Sequence, residues 1–567
     1  NRVTLGEPYT NVTGAALLAS SRKLLGIARG TERPDTRDSL HFKNLRTIED
    51  HLPAQIARNA RRIRTKIGNN LDRKRKISEI VPTDVFGGPM IAFFTSAKVH
   101  GGLTEEPHQT NPIEILANHH KTTVTGQGGI KSLYTARLDM KVIDQSQLGF
   151  VDPIPTPEGE RAGITTYLAV GAGKKGANVS APMWDVKKKR LVDVTPVEAL
   201  HAVVAFPDQY RWSGGVPTPV GKTVKVSAKG NDLAELPAES VDYVLPSSRG
   251  MFTLTSNMVP FMQNDSGSRV SYAARQITQA IGLKDAEVPL VQSHTGGDDT
   301  SATWERQVGR MFSHTSPVTG EVVSVGKDEI KVKDPSGATH AVPLFDLYPL
   351  NDKRSFITSK PKVAKGDTVR KGQILADTNW TKDGTLAFGM NLRTAFVPLG
   401  VRTFEDAIVV SETAARKLSS EHLYQERSYA GRDTVLNRDK FRAHFPDNMD
   451  NEQAKKLDAE GVITPGTRVG PGDTLVASMR QVELSREQML VRGIHKAISR
   501  EFADTSLRWE KTVPGVVEGV FRSGKEIKVH VSTVEPLQIG DKLCYSEDHE
   551  LLTTDGWKPV ASVTLTD

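Results

Sequence analysis

At 567 residues, the chain is too long for a single hydrophobic core, so we expect several domains. Its 37% hydrophobic and 25% charged residues are ordinary for a globular protein. The sequence contains no run of eighteen apolar residues, so it does not predict a membrane-spanning helix. The single cysteine excludes an internal disulfide and fits a reducing compartment. A net charge of +7 is small for this length, so the placement of the charges is more informative than their sum.

The first element predicted along the chain is a helical segment over residues 10–80. Its apolar residues recur at helical spacing, and cations are concentrated toward its end. Clustered cations of this kind neutralise phosphates, although a solvated helix face is an equally good interpretation of the pattern. The candidate nucleic-acid contacts in this stretch are Arg61, Arg62, Arg64, Arg73, Lys74 and Arg75.

Glycine and proline break the following sequence into short segments, which predicts loops that approach a ligand or another chain closely. Short strands with turn signals are predicted over 165–260 and 318–400. Helix-rich and charge-rich sequence over 415–510, between two β regions, is typical of an inserted domain.

Three short segments carry candidate chemistry for phosphoryl transfer. Glu405 and Asp406 are adjacent carboxylates among apolar residues, Arg269 follows a polar loop, and Lys542 follows a Gly-Asp pair at the end of a strand. Taken alone, the carboxylates fit a salt bridge or a turn better than a metal site, and both cations fit ordinary surface side chains. No cluster of aspartates offers the ligands of a complete two-metal centre.

Cys544, the only cysteine, stands where the sequence changes character. A free cysteine is usually a buried small hydrophobe, but the residues around this one favour a nucleophile.

Read in order, several segments resemble the β subunit of the multisubunit, bacterial-type RNA polymerase. The resemblance runs from about residue 15 to Leu543. The segments that carry it are Asp38–Arg46, Asn111-Pro112, Gly126–Gly129, Pro153–Gly159, Met258–Phe261 with Arg269, Phe404–Glu412 and Gly540–Leu543.

The resemblance implies roles for these residues. Arg269 would contact the triphosphate of the incoming nucleotide, and Lys542 would face the growing RNA end. Glu405 and Asp406 would lie near the second magnesium ion, with Asp406 as an indirect ligand. Mg²⁺ itself would be held mainly by a β′ subunit. Lys121 and Glu158 would lie beside the RNA–DNA hybrid.

The resemblance also implies a fold class: a mixed α/β, β-rich, multidomain protein. It would contain part of a double-psi β-barrel, a barrel-sandwich hybrid and a helix-containing flap. The predicted domains are a helical lobe or core segment (1–90), a fork and rifamycin-pocket region (91–170), a β core with the nucleotide-contacting loop (171–317), the barrel-sandwich hybrid with the start of the double-psi barrel (318–414), the flap (415–514), the return to the double-psi barrel (515–543) and an intein segment (544–567).

The last residues resemble the first block of an intein. Cys544 to Pro559 is similar to that block at its cysteine and at Asp555-Gly556-Trp557, which predicts the start of a Hint-type β fold. The resemblance implies that Cys544 attacks the carbonyl of Leu543. The alternative is an ordinary β hairpin of the polymerase. The later splicing residues do not follow, so we expect either a split intein or an incomplete sequence, and Asn1 in place of Met favours the second.

The resemblance therefore predicts a fragment of a nucleotidyltransferase that acts with β′, other polymerase subunits, DNA template, RNA, NTPs and a downstream intein portion. Two alternatives remain open at this point: a non-catalytic β homologue that binds nucleic acid, and a precursor whose own chemistry is splicing alone. We expect a cytoplasmic location, no membrane partner, and an origin in a phage or a distant bacterial lineage.

Overall fold

The computed structural model describes residues 2–81, 85–88, 91, 107–126, 128–228, 232–296, 299, 301–350, 354–403, 407–482, 502–541, 550–553 and 556–559. The chain divides into two compact units. Unit 1 comprises Asn1–Pro107, Ile115–Thr278 and Ser293–Trp304. Unit 2 comprises His108–Glu114, Gln279–Gln292 and Glu305–Asp567.

The described helices are mostly short, and the two longest lie in the predicted N-terminal helical segment. Thr13 caps one of them by accepting a hydrogen bond from the Ala16 N–H at 3.2 Å. The described α-helices are α1 (Arg2–Leu5), α2 (Gly14–Ala28), α3 (Ile48–Leu71), α4 (Ile77–Ile80), α5 (Pro112–His120), α6 (Pro196–Leu200), α7 (Leu254–Asn257), α8 (Gly267–Gln279), α9 (Trp304–Met311), α10 (Glu412–Lys417), α11 (Arg438–His444) and α12 (Asn451–Lys455).

The described residues of unit 1 form two sheets and a hairpin. One sheet has the order β1-β3-β2, the other has the order β11-β10-β7-β12-β5-β4 with β6 paired to β5, and β8 pairs with β9. The strands of unit 1 are β1 (Lys121–Thr123), β2 (Val151–Asp152), β3 (Thr165–Leu168), β4 (Gly173–Lys175), β5 (Asn178–Asp185), β6 (Arg190–Val194), β7 (Val204–Ala205), β8 (Tyr210–Ser213), β9 (Val216–Pro219), β10 (Thr223–Ala228), β11 (Asp232–Pro237) and β12 (Tyr243–Val244).

The larger sheet of unit 1 separates two hydrophobic clusters. Along β5, Ala181 and Met183 point into one cluster, whereas the intervening and following residues face the other way, so that Trp184 packs on the second cluster. This alternation is the period of two that a strand imposes on its side chains. Val224 and Val226 of β10 complete the second cluster.

Unit 2 is built from small antiparallel sheets. Their orders are β13-β21-β19, β16-β15-β14-β20, β24-β32-β31-β26 and β25-β28-β29, with the pairs β17-β18, β22-β23, β27-β30 and β33-β34. The strands are β13 (His314–Thr315), β14 (Gly320–Val325), β15 (Glu329–Lys333), β16 (Thr339–Pro343), β17 (Tyr348–Pro349), β18 (Phe356–Ile357), β19 (Ser359–Pro361), β20 (Thr368–Val369), β21 (Ile374–Thr378), β22 (Thr381–Lys382), β23 (Thr385–Leu386), β24 (Ser420–Tyr429), β25 (Thr434–Leu436), β26 (Arg468–Val469), β27 (Thr474–Val476), β28 (Ser478–Gln481), β29 (Phe502–Asp504), β30 (Leu507–Arg508), β31 (Gly515–Ser523), β32 (Glu526–Glu535), β33 (Glu550–Thr553) and β34 (Gly556–Pro559).

The long strands β24 and β32 organise the C-terminal part of unit 2. They pair along their full length, from Ser420 opposite Glu535 to Tyr429 opposite Glu526. The cluster beside them is centred on Trp509, which is fully buried and meets the ring of Tyr424 edge to face at 5.1 Å. A second cluster of this unit joins β14, β15 and β21 through Val322, Ile330 and Leu375, among others.

The described residues confirm a mixed, β-rich, multidomain chain. Strands β14 to β23 lie in the region 318–400, where short strands with turn signals are predicted. Residues 415–510 differ from the helix-rich expectation, because their described helices have only five to seven residues and strands β24 to β30 intervene. No helix in the described ranges is long and apolar enough to cross a membrane.

Candidate functional site

Arg269 lies in the first turn of α8, where its side chain is exposed. Val270 and Ala274 anchor the opposite side of this helix in a small core with Val259 and Ile154. Arg269 forms no ion pair with another residue of the described ranges. The amino end of a helix favours anions, so a guanidinium on this turn provides a suitable place for a phosphate group.

A strained turn precedes α8. Phe261 has φ of +54°, a left-handed conformation that is uncommon for a residue with a side chain. It redirects the chain between α7 and the loop that contains Asp265. The Ser266 N–H then donates to Asp265 Oδ1 at 2.7 Å, which orders the last residues before α8.

Asp152, at the end of β2, has a fully buried carboxylate. It joins the start of its own following loop to a segment that lies far away in the sequence. Its Oδ1 accepts from the Ile154 N–H at 2.9 Å. Its Oδ2 accepts from the Thr253 N–H at 2.7 Å, the Thr253 hydroxyl at 2.9 Å and the Ser256 hydroxyl at 2.7 Å. Burial raises the pKa of Asp152, while these hydrogen bonds act in the opposite direction.

Thr253 also begins the helix that leads to Phe261. As the N-cap of α7, its Oγ1 accepts from the Ser256 N–H at 3.2 Å. Asn257 closes the same short helix by donating to the carbonyl oxygens of Arg249 and Thr253, at 2.8 and 2.9 Å. The segment before α8 is therefore held by buried polar contacts at both ends of α7.

Arg275 joins α8 to the proline-rich loop that follows β2. Its guanidinium donates to Glu158 Oε1 at 2.6 Å and to the carbonyl oxygen of Thr156 at 2.6 Å. Thr156 in turn accepts from the Gly163 N–H at 2.8 Å, which closes the loop. Glu158, predicted as a nucleic-acid contact, is thus paired with a cation of the helix that carries Arg269.

The predicted basic stretch extends along α3 and past its end. Arg61, Arg62 and Arg64 lie on the helix and are exposed. The three cations at 73–75 follow the helix and are also exposed. None of the six makes an ion pair with another residue that the structure describes. Their charge is therefore available to a polyanion.

The amino end of α3 is fixed to β4 by Lys174. Its ammonium group lies 2.5 Å from Asp50 Oδ2, 2.7 Å from Thr47 Oγ1 and 3.1 Å from Glu49 Oε1. The hydrogen bond from Lys174 is the main reason that the pKa of Asp50 falls to about 2. Asp50 also accepts from the Thr47 N–H at 2.9 Å, which caps the helix.

Lys121, the other predicted nucleic-acid contact, begins β1 and is half-buried opposite Tyr167 of β3. The glycine-rich loop after β1 requires its glycines. Gly126 and Gly128 have φ of +100° and +95°, and a Cβ on Gly129 would lie 1.8 Å from the Val124 carbonyl oxygen. Gly129 therefore allows the loop to approach its own backbone at Val124, and the predicted approach to a ligand or another chain stays a prediction.

Four predicted site residues lie outside the described residues: Glu405, Asp406, Lys542 and Cys544. The described ranges contain no group of three or more His, Cys, Asp or Glu side chains that could hold a metal ion. Among the predicted residues, the structure brings Glu158 to the helix of Arg269.

Sequence reasoning missed Asp152, Thr253 and Arg275. The only local signal was Thr253 itself, because threonine is a residue type that often occupies a helix N-cap. Nothing in the sequence relates that cap to Asp152, which lies 101 residues earlier.

Family models and individual relatives both show that the chain is similar to RNA polymerase sequences. Residues 333–548 match the family described as RNA polymerase Rpb2, domain 6, and residues 107–173 match RNA polymerase Rpb2, domain 3. The chain is 29% identical to the DNA-directed RNA polymerase subunit beta of Corynebacterium efficiens over 552 residues, which cover 93% of this chain and 46% of that protein.

Two further relatives are also DNA-directed RNA polymerase β subunits. The protein of Oenococcus oeni is 27% identical over 95% of this chain and 46% of its own length, and the protein of Thermus aquaticus is 26% identical over 93% and 48%. The chain therefore spans about half the length of the curated relatives that it matches.

Proposed function

We propose that this chain belongs to the RNA polymerase β-subunit family and forms part of a DNA-directed RNA polymerase. It would take part in template-directed nucleotidyl transfer from NTPs to RNA together with a β′ subunit. The observation that carries this proposal is the exposed Arg269 on the first turn of a firmly packed helix, within a chain aligned to β subunits over 93% of its length.

In this proposal the chain acts by positioning and by charge. Arg269 binds the triphosphate of the incoming nucleotide, and Lys542 faces the growing RNA end. Phosphoryl transfer requires little covalent chemistry from the protein, so placed cations that match the developing charge are the main contribution. The packing of α8 in unit 1 fixes the backbone position from which the Arg269 side chain extends.

Magnesium would be held mainly by the β′ subunit. Mg²⁺ prefers carboxylate and water oxygens in octahedral geometry, and when bound it would neutralise charge on the transferred phosphates. The contribution of this chain would be Asp406, acting indirectly, with Glu405 beside it. Glu158, a carboxylate of the described ranges, is already engaged with Arg275, a cation of the chain itself.

Nucleic acid would contact the basic stretch of α3 and the loops near Lys121 and Glu158. The exposed cations at 61–75 support this part of the proposal, because they are concentrated on one helix and its continuation. Such contacts neutralise backbone phosphates and carry no sequence information by themselves.

The test is an assembled polymerase that contains the full-length β chain and its β′ partner. Template-directed incorporation of NTPs should fall strongly with Arg269→Ala and with Lys542→Ala. Arg211→Ala removes an exposed arginine from β8 of the same unit and should leave incorporation unchanged. An assembled enzyme that binds nucleic acid without incorporating NTPs would favour the non-catalytic homologue instead.

We also propose a separate splicing chemistry at Cys544. The match to Rpb2 domain 6 stops at residue 548, close to Cys544, and an antiparallel hairpin follows in which Glu550–Thr553 pairs with Gly556–Pro559. The end of that match within the intein-like block supports a change of character near this point, whereas the hairpin fits both an intein segment and an ordinary polymerase hairpin. The Cys544 sulfur would attack the carbonyl carbon of Leu543, forming a thioester while the peptide C–N bond breaks and the Cys544 amino group is freed.

An added thiol tests this step on the full chain. Exchange with the thioester should release a fragment that ends at Leu543, and Cys544→Ala should abolish the release. Ligation to a downstream segment would require the remaining splicing residues. A chain that stays intact under excess thiol would favour the ordinary polymerase hairpin.

A further inference from the structure

We infer that Asp152 is a positioning residue for nucleotide binding, because its buried carboxylate fixes the segment that leads to Arg269. The inference rests on the proposed contact between Arg269 and the triphosphate. It concerns the Asp152 network, which we define as Asp152, Ile154, Thr253 and Ser256.

The geometry of the network requires a carboxylate. Each of its two oxygens accepts a backbone N–H, one from Ile154 and one from Thr253. Backbone donors cannot reverse their direction, whereas the two hydroxyls of the network can. An asparagine at this position would turn its amide N–H₂ toward one of the two backbone donors, so it could not replace the aspartate.

The position of this carboxylate is costly in free energy. Asp152 is fully buried, and no ion pair to it occurs among the residues that the structure describes. A buried charge that is compensated only by hydrogen bonds is expensive, and apolar packing would hold β2 at lower cost. What the carboxylate adds is a fixed relation between the loop after β2 and the N-cap of α7.

That relation extends to Arg269 in two ways. From Thr253, the cap of α7 leads through Val259 and the strained Phe261 to the loop before α8. From Ile154, the loop after β2 packs into the same small core as Val270, the residue next to Arg269. The Asp152 network therefore fixes both the segment that precedes α8 and the loop that packs against α8, the helix that carries Arg269.

Displacing a positioning group by about 1 Å can cost up to roughly a hundredfold in rate. We expect Asp152→Asn to raise the KM for NTPs in the assembled polymerase by roughly tenfold, with a smaller change in kcat. Ser256→Ala removes only one of the four hydrogen bonds to the carboxylate and should raise KM in the same direction but less.

The matched control is Asp185→Asn. Asp185 is a buried carboxylate of the same unit whose partner is Lys188, in the turn after β5. The Asp185→Asn variant should have a lower thermal stability and an unchanged KM for NTPs. A purely structural role for Asp152 would give the same result as this control.

A double-variant cycle separates the inference from the proposed function. If Arg269→Ala raises KM and Asp152→Asn adds little to it, the two residues act through one contact. Independent, multiplicative effects would overturn the inference, as would a wild-type KM for Asp152→Asn beside a raised KM for Arg269→Ala. If Arg269→Ala itself leaves KM unchanged, the proposed role of Arg269 fails and the inference fails with it.

Hydrogen exchange on the full chain gives a second measurement. Ser256→Ala should increase exchange in the peptide that contains Thr253 and Phe261, and Asp185→Asn should not. Equal protection of this peptide in wild type and Ser256→Ala would contradict the coupling, even if a more disruptive variant failed to fold.

Discussion

The guanidinium of Arg275 binds the carboxylate of Glu158 at 2.6 Å and so ties the loop after β2 to α8. The same guanidinium donates to the Thr156 carbonyl oxygen, so the arginine holds both the side chain and the backbone of this loop. Glu158 is 67% exposed and Arg275 only 28%. Arg275 therefore contributes more to the stability of this loop than Glu158 does.

We expect Arg275→Ala to lower the free energy of unfolding of unit 1 by about 1.5–3 kcal/mol, because it removes a charged hydrogen bond to a backbone carbonyl. Glu158→Ala should cost less than about 1 kcal/mol, since exposed ion pairs are screened by water. Urea unfolding of both single variants and the double variant measures the coupling between them. Glu160→Ala, an exposed neighbour, is the control, and an equal loss for Arg275→Ala and Glu158→Ala would contradict this account.

The basic stretch of α3 predicts a salt-dependent affinity for DNA. Replacing Arg61, Arg62 and Arg64 with alanine should weaken binding and make its dependence on log[salt] shallower by about 2–3, since each phosphate contact contributes about 0.9. Fluorescence anisotropy with duplex and single-stranded DNA between low and moderate salt measures both quantities.

The control for α3 replaces three exposed cations elsewhere in unit 1, namely Lys189, Arg190 and Lys222. The net charge changes equally in the two triple variants. A salt slope that falls equally in both would show a general effect of charge, and the proposed role of α3 would be wrong.

The ion pair between Lys174 and Asp50 makes a pH-dependent contribution to the anchoring of α3. The pKa of Asp50 is lowered from 3.8 to about 2, so its stabilisation is present above pH 3.8 and is lost as pH falls toward 2. Lys174→Met removes the main cause of the shift. The loss of stability between pH 4 and pH 2 should therefore be smaller in this variant than in the wild type.

Urea midpoints across this pH range measure that difference, with Lys189→Met as a control for the loss of one lysine. Equal slopes in wild type and Lys174→Met would mean that Lys174 does not lower the pKa of Asp50 in the folded chain.

The sequence was sufficient to predict what depends on local pattern. The helical N-terminal segment and the strands β14 and β15 follow from periodicity and turn signals, and the polar loop before Arg269 follows from its residue types. Periodicity was less informative about burial. Leu17 and Leu24 share the predicted apolar stripe of α2, yet they are 59% and 67% exposed. A stripe predicts a helix and one apolar face, but not what packs against that face.

The contacts that support the site could not be predicted, because they join residues far apart in sequence. Asp152 meets Thr253 across 101 residues, and Arg275 meets Glu158 across 117. A single sequence does not indicate which buried acid pairs with which cap. The long pairing of β24 with β32 was missed for the same reason, since a charge-rich insertion separates the two strands.

His422 gives unit 2 a stability that decreases in mild acid. It is 4% exposed, its Nε2 lies 2.9 Å from Ser420 Oγ, and its buried Nδ1 has no hydrogen-bond partner among the residues that the structure describes. Burial lowers the pKa of His422, the Glu535 carboxylate at 3.9 Å opposes this, and Arg354 adds to it. In the unfolded chain His422 therefore takes up a proton near pH 6.5, whereas in the folded chain it does so only at a lower pH. The free energy of unfolding consequently decreases as the pH falls.

We expect the urea midpoint of unit 2 to fall between pH 7.5 and pH 5.5, and to fall less in His422→Gln, whose side chain stays neutral throughout this range. His201→Gln, which changes an exposed histidine of unit 1, should retain the wild-type slope. The lowered pKa of Glu535 acts below 4.5 and so lies outside this window. A midpoint that rises on acidification would mean that Glu535 outweighs burial and that His422 is protonated in the folded chain.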